Sequence, residues 1–418
     1  MQRSFLRYTR TLLFPLLAVG LVLAGCDSSG PNGIDNGDDD NGDNDTATFE
    51  YPSDDYGAET VTNLLAFDLG VRVGSAADNS ESALLNRYTG DIDDVTIRAA
   101  RDLTTEGQSV YDDIDGDVDL SSLVSTTDLA RSSQLESADS PDAGSPVNTD
   151  ELLRYYFGEA GANDVTATDN GIVLSQFAEK MLLGTPIYAR GAAILSDFAD
   201  GTVSSDRAEQ WDAAFGYFGF PRTLEPFLDY SGGEEGLAGG PAQDIDGEGV
   251  DLTSEYVHTW AAYAIERSAA AENNGNANDF ARRAFDALRQ GREEIADENY
   301  DNLADRAETA LSAWEATVAV NVIHYINSME SSLQDVSGTV SEGDISEDAW
   351  GEAKAFAWGL QFYSDELTDD QLNDILEDIG NDPPYDEMTA SEYSDDLADA
   401  TQILQDAYGF NASNVEAW

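Results

Sequence analysis

Nine apolar residues step by three and four through residues 299–335: Leu303, Ala307, Leu311, Trp314, Val318, Val322, Ile326, Met329 and Leu333. At 3.6 residues per turn they form one unbroken stripe, which must be buried against other helices. Segments near 57–72, 149–158, 171–198, 205–219, 254–271, 277–296, 345–364, 368–378 and 390–408 carry the same period. Ser204 or Ser205 is placed to cap the 205–219 helix, and Ser346 the 345–364 helix. Alternating Val/Ile/Thr runs are scarce, so no sheet is expected. Gly- and Asp-rich stretches near 104–148 and 231–252 read as acidic excursions between helices. The pattern predicts an all-α fold, with multi-helix packed bundles in one large domain over 51–418.

The first fifty residues are of another kind. Arg3, Arg7 and Arg10 precede an uncharged apolar stretch, 11–25, that suits a secretory h-region and is too short for a comfortable membrane span. Leu23-Ala24-Gly25-Cys26 then reads as a lipobox. Cys26 is the only cysteine, so disulfides, cysteine zinc sites and thiol catalysis are excluded. The expectation is a signal peptide over 1–25, a lipid on Cys26 and an Asp/Asn/Gly tether over 27–50. The destination is the cell envelope, held by the lipid to the outer membrane on its periplasmic face or at the cell surface.

Charge narrows the partners. The chain holds 83 acids against 20 bases, and only Lys180 and Lys354 are lysines. Removing residues 1–25 takes away three arginines and no acid, leaving 17 bases against 83 acids. A nucleic-acid partner is excluded, because phosphate binding needs basic surface. Self-repulsion on this scale disfavours a compact state in dilute buffer. Molar salt, with a screening length of about 3 Å, removes that penalty. Acids spread along the whole chain with scarce lysine therefore point to a protein of concentrated salt. The 41% hydrophobic content still supplies a core.

Few residues here carry chemistry. The only histidines are His258 and His324, and neither H-E-x-x-H nor G-x-S-x-G occurs. Thr317, Asn321, His324, Ser328 and Ser331 follow helical spacing as an uncharged polar stripe, which makes Asn321 and His324 candidates for lining an interior pocket. Residues 244–255 (DIDGEGVDLTSE) match the twelve-residue calcium loop with Glu248 in the third acidic place. Asp244, Asp246, Glu248, the Val250 carbonyl and Glu255 would be the calcium ligands, with Gly249 at the turn. Asp251 stands where a packing aliphatic is usual, and a solvated Asp/Gly turn is the other reading.

Six blocks look alike to a known family: QWDAAFGYFGFP (210–221), DIDGEGVDLTSEY (244–256), FDALRQGREEI (285–295), AWEATVAVNVIHYIN (313–327), WGEAKAFAWGLQF (350–362) and AYGFNASNVEAW (407–418). In this order they resemble the bacterial lipoprotein family described as domain of unknown function 4856, over most of 50–418. The resemblance implies a secreted, mostly helical, imelysin-like protein associated with iron or haem uptake and an outer-membrane receptor. Histidines often precede the Trp-Asp of that family's first block. Here Glu209 and Gln210 stand there, leaving Trp211 and Asp212 as that block's candidate pocket residues. The imelysin G-x-H-x-x-E motif is absent, which argues against a histidine metal site and a peptidase.

These observations predict a non-enzymatic binding or accessory component of envelope nutrient or metal uptake. A hydrolase working with carboxylates alone is the competing class. A structural surface lipoprotein is the third.

Overall fold

The computed structural model describes residues 47–50, 56–75, 80–101, 103–163, 165–228, 241–273 and 278–418. Residues 1–46, with the expected signal peptide, Cys26 and nearly all of the expected tether, lie outside them. Residues Thr46–Trp418 cluster as one compact unit. In chain order its helices are α1 (Gly57–Val73), α2 (Glu81–Tyr88), α3 (Leu120–Leu123), α4 (Thr149–Asn163), α5 (Leu174–Leu182), α6 (Arg190–Ala199) and α7 (Arg207–Phe218). They continue as α8 (Thr259–Asn273), α9 (Phe280–Ala296), α10 (Leu303–Leu333), α11 (Glu347–Leu360), α12 (Asp369–Ile379), α13 (Ala390–Tyr408) and α14 (Ala412–Val415). The fold is all-α: among the described residues only isolated β-bridges occur and no sheet.

α10 is the axis of the body. All nine stripe residues are buried. From Ala313 to Ile323 every residue is buried, so the helix is enclosed on all sides rather than along one face. It packs against α6, α8, α9, α11, α13 and α14. Full burial of each large apolar side chain contributes roughly 1.5–3 kcal/mol.

The segment expected as one helix over 171–198 is interrupted. Leu183–Ala189 winds as a π-helix between α5 and α6, with Pro186 inside it. Proline has no N–H and crowds the preceding turn, and the wider winding accommodates it. Trp260 Nε1 donates to the Leu183 carbonyl at 3.1 Å. Gly184 meets Gly359 of α11 so closely that a Cβ on Gly184 would lie 3.2 Å from the Gly359 Cα.

Tryptophans pin the helices to one another. Of the six, five donate an indole N–H to a carbonyl: Trp211 to Leu288 at 2.7 Å, Trp260 to Leu183, Trp350 to Ile379 at 3.0 Å, Trp358 to Ala130 at 2.8 Å and Trp418 to Arg267 at 3.0 Å. Each bond fixes an aromatic anchor in rotation as well as position. The sixth, Trp314, is fully buried against Tyr188 and Phe218, and its indole nitrogen has no partner.

Two local expectations are corrected. α7 starts at Arg207 behind Asp206, whose backbone is left-handed at φ 53°, and no side chain caps it. Ser205 instead donates its hydroxyl to Asp206. Ser346 does cap α11, accepting from the Ala349 amide at 3.3 Å. Residues 254–258 were expected to be helical, but α8 begins only at Thr259. Asp251 holds this stretch in a turn, accepting from the Thr253 amide at 2.9 Å and the Ser254 hydroxyl at 2.6 Å.

The two excursions are not independent. Gln108 reaches across to donate to Asp251 at 2.8 Å and accept from the Leu252 amide at 2.6 Å. The Val250 amide donates to Thr104 O at 2.9 Å. Segments far apart in sequence thus form one irregular layer, and Tyr56 ties it to the start of α1 through the Thr253 carbonyl at 2.7 Å.

Candidate functional site

The 244–255 loop spends its oxygens on its own backbone. Asp244 accepts from the Gly247 amide at 2.6 Å and Asp246 from the Glu248 amide at 2.9 Å. Glu255, expected to close a calcium site with both oxygens, accepts from the Ile245 amide at 3.0 Å and the Asp251 amide at 3.1 Å. The Val250 carbonyl accepts from the Glu106 amide at 3.2 Å. Among the described residues no three His, Cys, Asp or Glu side chains gather to hold a metal ion. The loop folds as a chain of side-chain-supported turns in which Asp244, Asp246 and Glu255 accept from backbone amides.

Trp211 and Asp212 lie at the α7–α9 interface. Trp211 rests on Gly291, and Asp212 takes Arg292 Nε at 2.7 Å with both side chains buried. Burial pushes the Asp212 carboxyl up to about 6 against the pull of that guanidinium. The first and third sequence blocks therefore fold onto each other.

Asn321 and His324 belong to a different interface. Asn321 accepts from Arg267 Nε at 3.0 Å and donates to Thr317 O at 2.8 Å. His324 Nδ1 donates to the Trp418 carbonyl at 2.8 Å, and Asn327 to the Val415 carbonyl at 2.7 Å. Burial pulls His324 down to about 4, with Arg267 adding to the effect. His258 is buried with Nε2 on the Leu252 carbonyl at 2.9 Å and is pulled down to about 4 by the same desolvation. Both imidazoles are neutral structural donors.

The polar stripe of α10 opens into a larger buried seam that sequence reading did not identify. Lys180 of α5 lies 2.8 Å from Glu179 and 3.2 Å from Glu352 of α11, with side-chain exposures of 5%, 10% and 12%. Tyr325 bonds to Glu352, and its hydroxyl lies 3.4 Å from that of Tyr263. Phe356 stacks on Tyr325 at 5.9 Å and meets Tyr263 edge-on at 5.4 Å. Arg267 approaches the Tyr263 ring to 5.9 Å and passes the seam on to Asn321. Burial opposes the Lys180 charge, but Glu179, Tyr263 and Glu352 outweigh it and hold the ammonium well above its usual range. Burial raises Glu352 despite Lys180 beside it. In this arrangement the ammonium occupies the place a bound cation would take between two carboxylates.

The other lysine is buried too. Lys354 Nζ donates to the Leu376 carbonyl at 2.7 Å and the Gly380 carbonyl at 2.5 Å, closing the end of α12. Burial pulls it down to about 7. Lys180 is 4% and Lys354 1% exposed, and the chain has no other lysine.

An acidic cleft of about 370 Å³ lies between α6, α10 and residues 363–366, lined by Asp200, Glu308, Glu315, Tyr363, Asp365 and Glu366. Glu315 is buried there among neutral donors: the Ser364 hydroxyl, the Tyr408 hydroxyl at 2.9 Å, and the amides of Asp365 at 3.2 Å and Glu366 at 3.3 Å. These bonds fasten the 364–366 turn to α10. Among the described residues no helix is long and apolar enough to cross a membrane. No protein family, curated protein or solved structure matches this chain.

Proposed function

We propose that this chain is an exported envelope lipoprotein, anchored through Cys26, whose helical body is a non-enzymatic binding or accessory component of nutrient or metal uptake in concentrated salt. The observation that carries the reading is the direction of the lysines. Both are interior and bonded, so the chain offers solvent no lysine at all, while acids cover it. An ammonium is retained only where protein carboxylates or carbonyls hold it and solvent salt does not reach.

At the buried seam the carboxylate hydrolase, the competing reading, finds no open carboxylate pair. Glu179 and Glu352 are bridged by an ammonium rather than facing each other across an open pocket. The uptake role is what the family resemblance implies, and the lipobox supports the anchor.

Two measurements test the proposal. Cells fed labelled palmitate should label the wild type and not Cys26→Ser; label on the variant ends the anchor. Protein purified from its native host in high salt should carry a metal or small ligand by elemental analysis and mass spectrometry. A body that is empty in every preparation and binds no metal or haem added to it sinks the uptake role.

A further inference from the structure

The loop before α4 and the first turns of that helix enclose a pocket of about 380 Å³, near the lower end of the range for ligand sites. Pro141, Asp142 and Pro146 line it from the loop, and Glu151, Arg154 and Tyr155 from the helix. Its walls are held in place. Proline fixes φ at both ends of the loop. The Ser145 amide closes a turn on the Asp142 carbonyl at 3.0 Å, and the Val147 amide donates to the Ser132 hydroxyl at 3.0 Å. Tyr155 is fixed by its own hydroxyl, which donates to the Ala138 carbonyl at 3.0 Å.

Two opposite charges stand one turn apart on the helix side, and each turns to a different neighbour. Glu151 accepts from the Asn148 amide at 3.0 Å, and Asn148 Oδ1 accepts from the Glu151 amide at 3.1 Å. Arg154 donates Nε to Asp150 at 2.9 Å, and its guanidinium carbon lies 5.3 Å from the centroid of the Tyr88 ring. Asp150 also accepts from the Tyr88 hydroxyl at 2.9 Å. The pocket therefore presents a fixed positive group and a fixed negative one beside an aromatic ring and two prolines.

The charge of the whole chain selects what can use such a pocket. With 83 acids against 20 bases, an anion is repelled by the body, and a cation is attracted equally by acids elsewhere on it. A solute that carries both charges and no net charge meets neither fate. We propose that this pocket binds a small zwitterion of the amino-acid or betaine class. Its carboxylate lies on the Arg154 guanidinium. Its ammonium end lies on the Tyr155 ring, with Glu151 and Asp142 around it. Its methyl or methylene groups rest on the prolines. The inference rests on the binding reading of the body and names a ligand class for it.

Ligand-observed NMR titration of the full chain in molar potassium chloride tests this. The probes are glycine betaine, choline, which lacks the carboxylate, and tert-butylacetate, which keeps the shape and lacks the positive charge. Betaine should bind saturably, with a dissociation constant on the order of millimolar, and about tenfold or more tighter than either analogue. Arg154→Met should erase its advantage over choline. Asp142→Asn with Glu151→Gln is isosteric and able to keep the Asn148 bond. That double variant should erase the advantage over tert-butylacetate, and it decides the matter if Arg154→Met does not fold. Betaine that does not saturate, that binds no better than its analogues, or that keeps its full advantage in the double variant overturns the site. A body that carries metal or haem and ignores betaine refutes this site alone. Betaine binding as expected, with palmitate label kept on Cys26→Ser, supports the site and refutes the anchor alone.

Discussion

Replacing a glycine by alanine inside a helix usually stabilises it, by roughly 0.5–1 kcal/mol, because alanine has less backbone freedom to lose. Gly158 of α4 should behave so: the only neighbour a Cβ would meet is Glu81 Oε1 at 3.9 Å. Gly291 of α9 should do the opposite. A Cβ there would lie 2.1 Å from Trp211 Cζ2 and 2.6 Å from Cη2. The ring cannot step aside freely, because its Nε1 bonds to Leu288 O at 2.7 Å and Phe198 meets its face edge-on at 4.8 Å. Overpacking costs about 1–3 kcal/mol and a lost indole bond about 1 kcal/mol more. Set against a propensity gain of about 1 kcal/mol, Gly291→Ala should be net destabilising by about 1–3 kcal/mol. The assay is urea unfolding in molar potassium chloride, with the slope checked for constancy. Trp211→Phe should be less damaging in the Gly291→Ala background than in wild type, since the smaller ring leaves room for the methyl. A Gly291→Ala protein as stable as Gly158→Ala would refute the account of the α7–α9 interface.

Three further outcomes follow from where the ionisable groups sit. Burial holds His258 and His324 near 4 in the folded protein, against 6.5 when exposed; the unfolded chain therefore takes up their protons first, so stability is full above pH 6.5 and falls toward pH 4, by roughly 3 kcal/mol for each. Imidazole NMR signals should show no titration near 6.5 in the native state, and titration there means that the ring is not desolvated. Lys180→Met should cost about 3–5 kcal/mol by leaving Glu179 and Glu352 uncompensated, with little change across the salt range that keeps wild type folded. Arg282→Ala, removing an exposed pair with Glu225, should cost at most about 1 kcal/mol and nothing measurable in high salt; equal salt dependence of the two variants would contradict the distinction between interior and surface pairs.

The stripe of α10 was legible because one long helix repeats its signal many times. α2 was not, because ESALLNRY offers about two turns and little apolar content, and its place is fixed by burial of Leu84 and Tyr88. The start of α8 was misjudged because the Asp251 turn competes for the same backbone, a contest that only the contact with Gln108 decides. The 244–255 motif is a loop, as its spacing indicated. Its Asp and Glu spacing suits turns that satisfy backbone N–H groups as well as it suits calcium, and the turns are formed here by Asp244, Asp246 and Glu255. The helical spacing of Asn321 and His324 was legible, and the structure buries Asn321 and half-buries His324. Lys180 and Glu352 were not joined to that pair, since they sit on helices distant in sequence. A signal was nevertheless present, because a chain that otherwise dispenses with lysine keeps two.

That retention separates two jobs that charge does in this molecule. Surface acids interact with solvent, and their mutual repulsion is removed by the same salt that would weaken any ion pair placed among them. Pairs set inside the body, such as Lys180 with Glu179 and Glu352 or Arg292 with Asp212, are not reached by that salt. They cost desolvation and are weak evidence for added stability. Each joins two helices from the interior, α5 to α11 and α7 to α9, where solvent salt does not screen the charge. The seam through α5, α8, α10 and α11 is therefore where the fold's specificity is independent of its surroundings. Pairs on the acidic surface, such as Arg282 with Glu225, are where salt screens the charge.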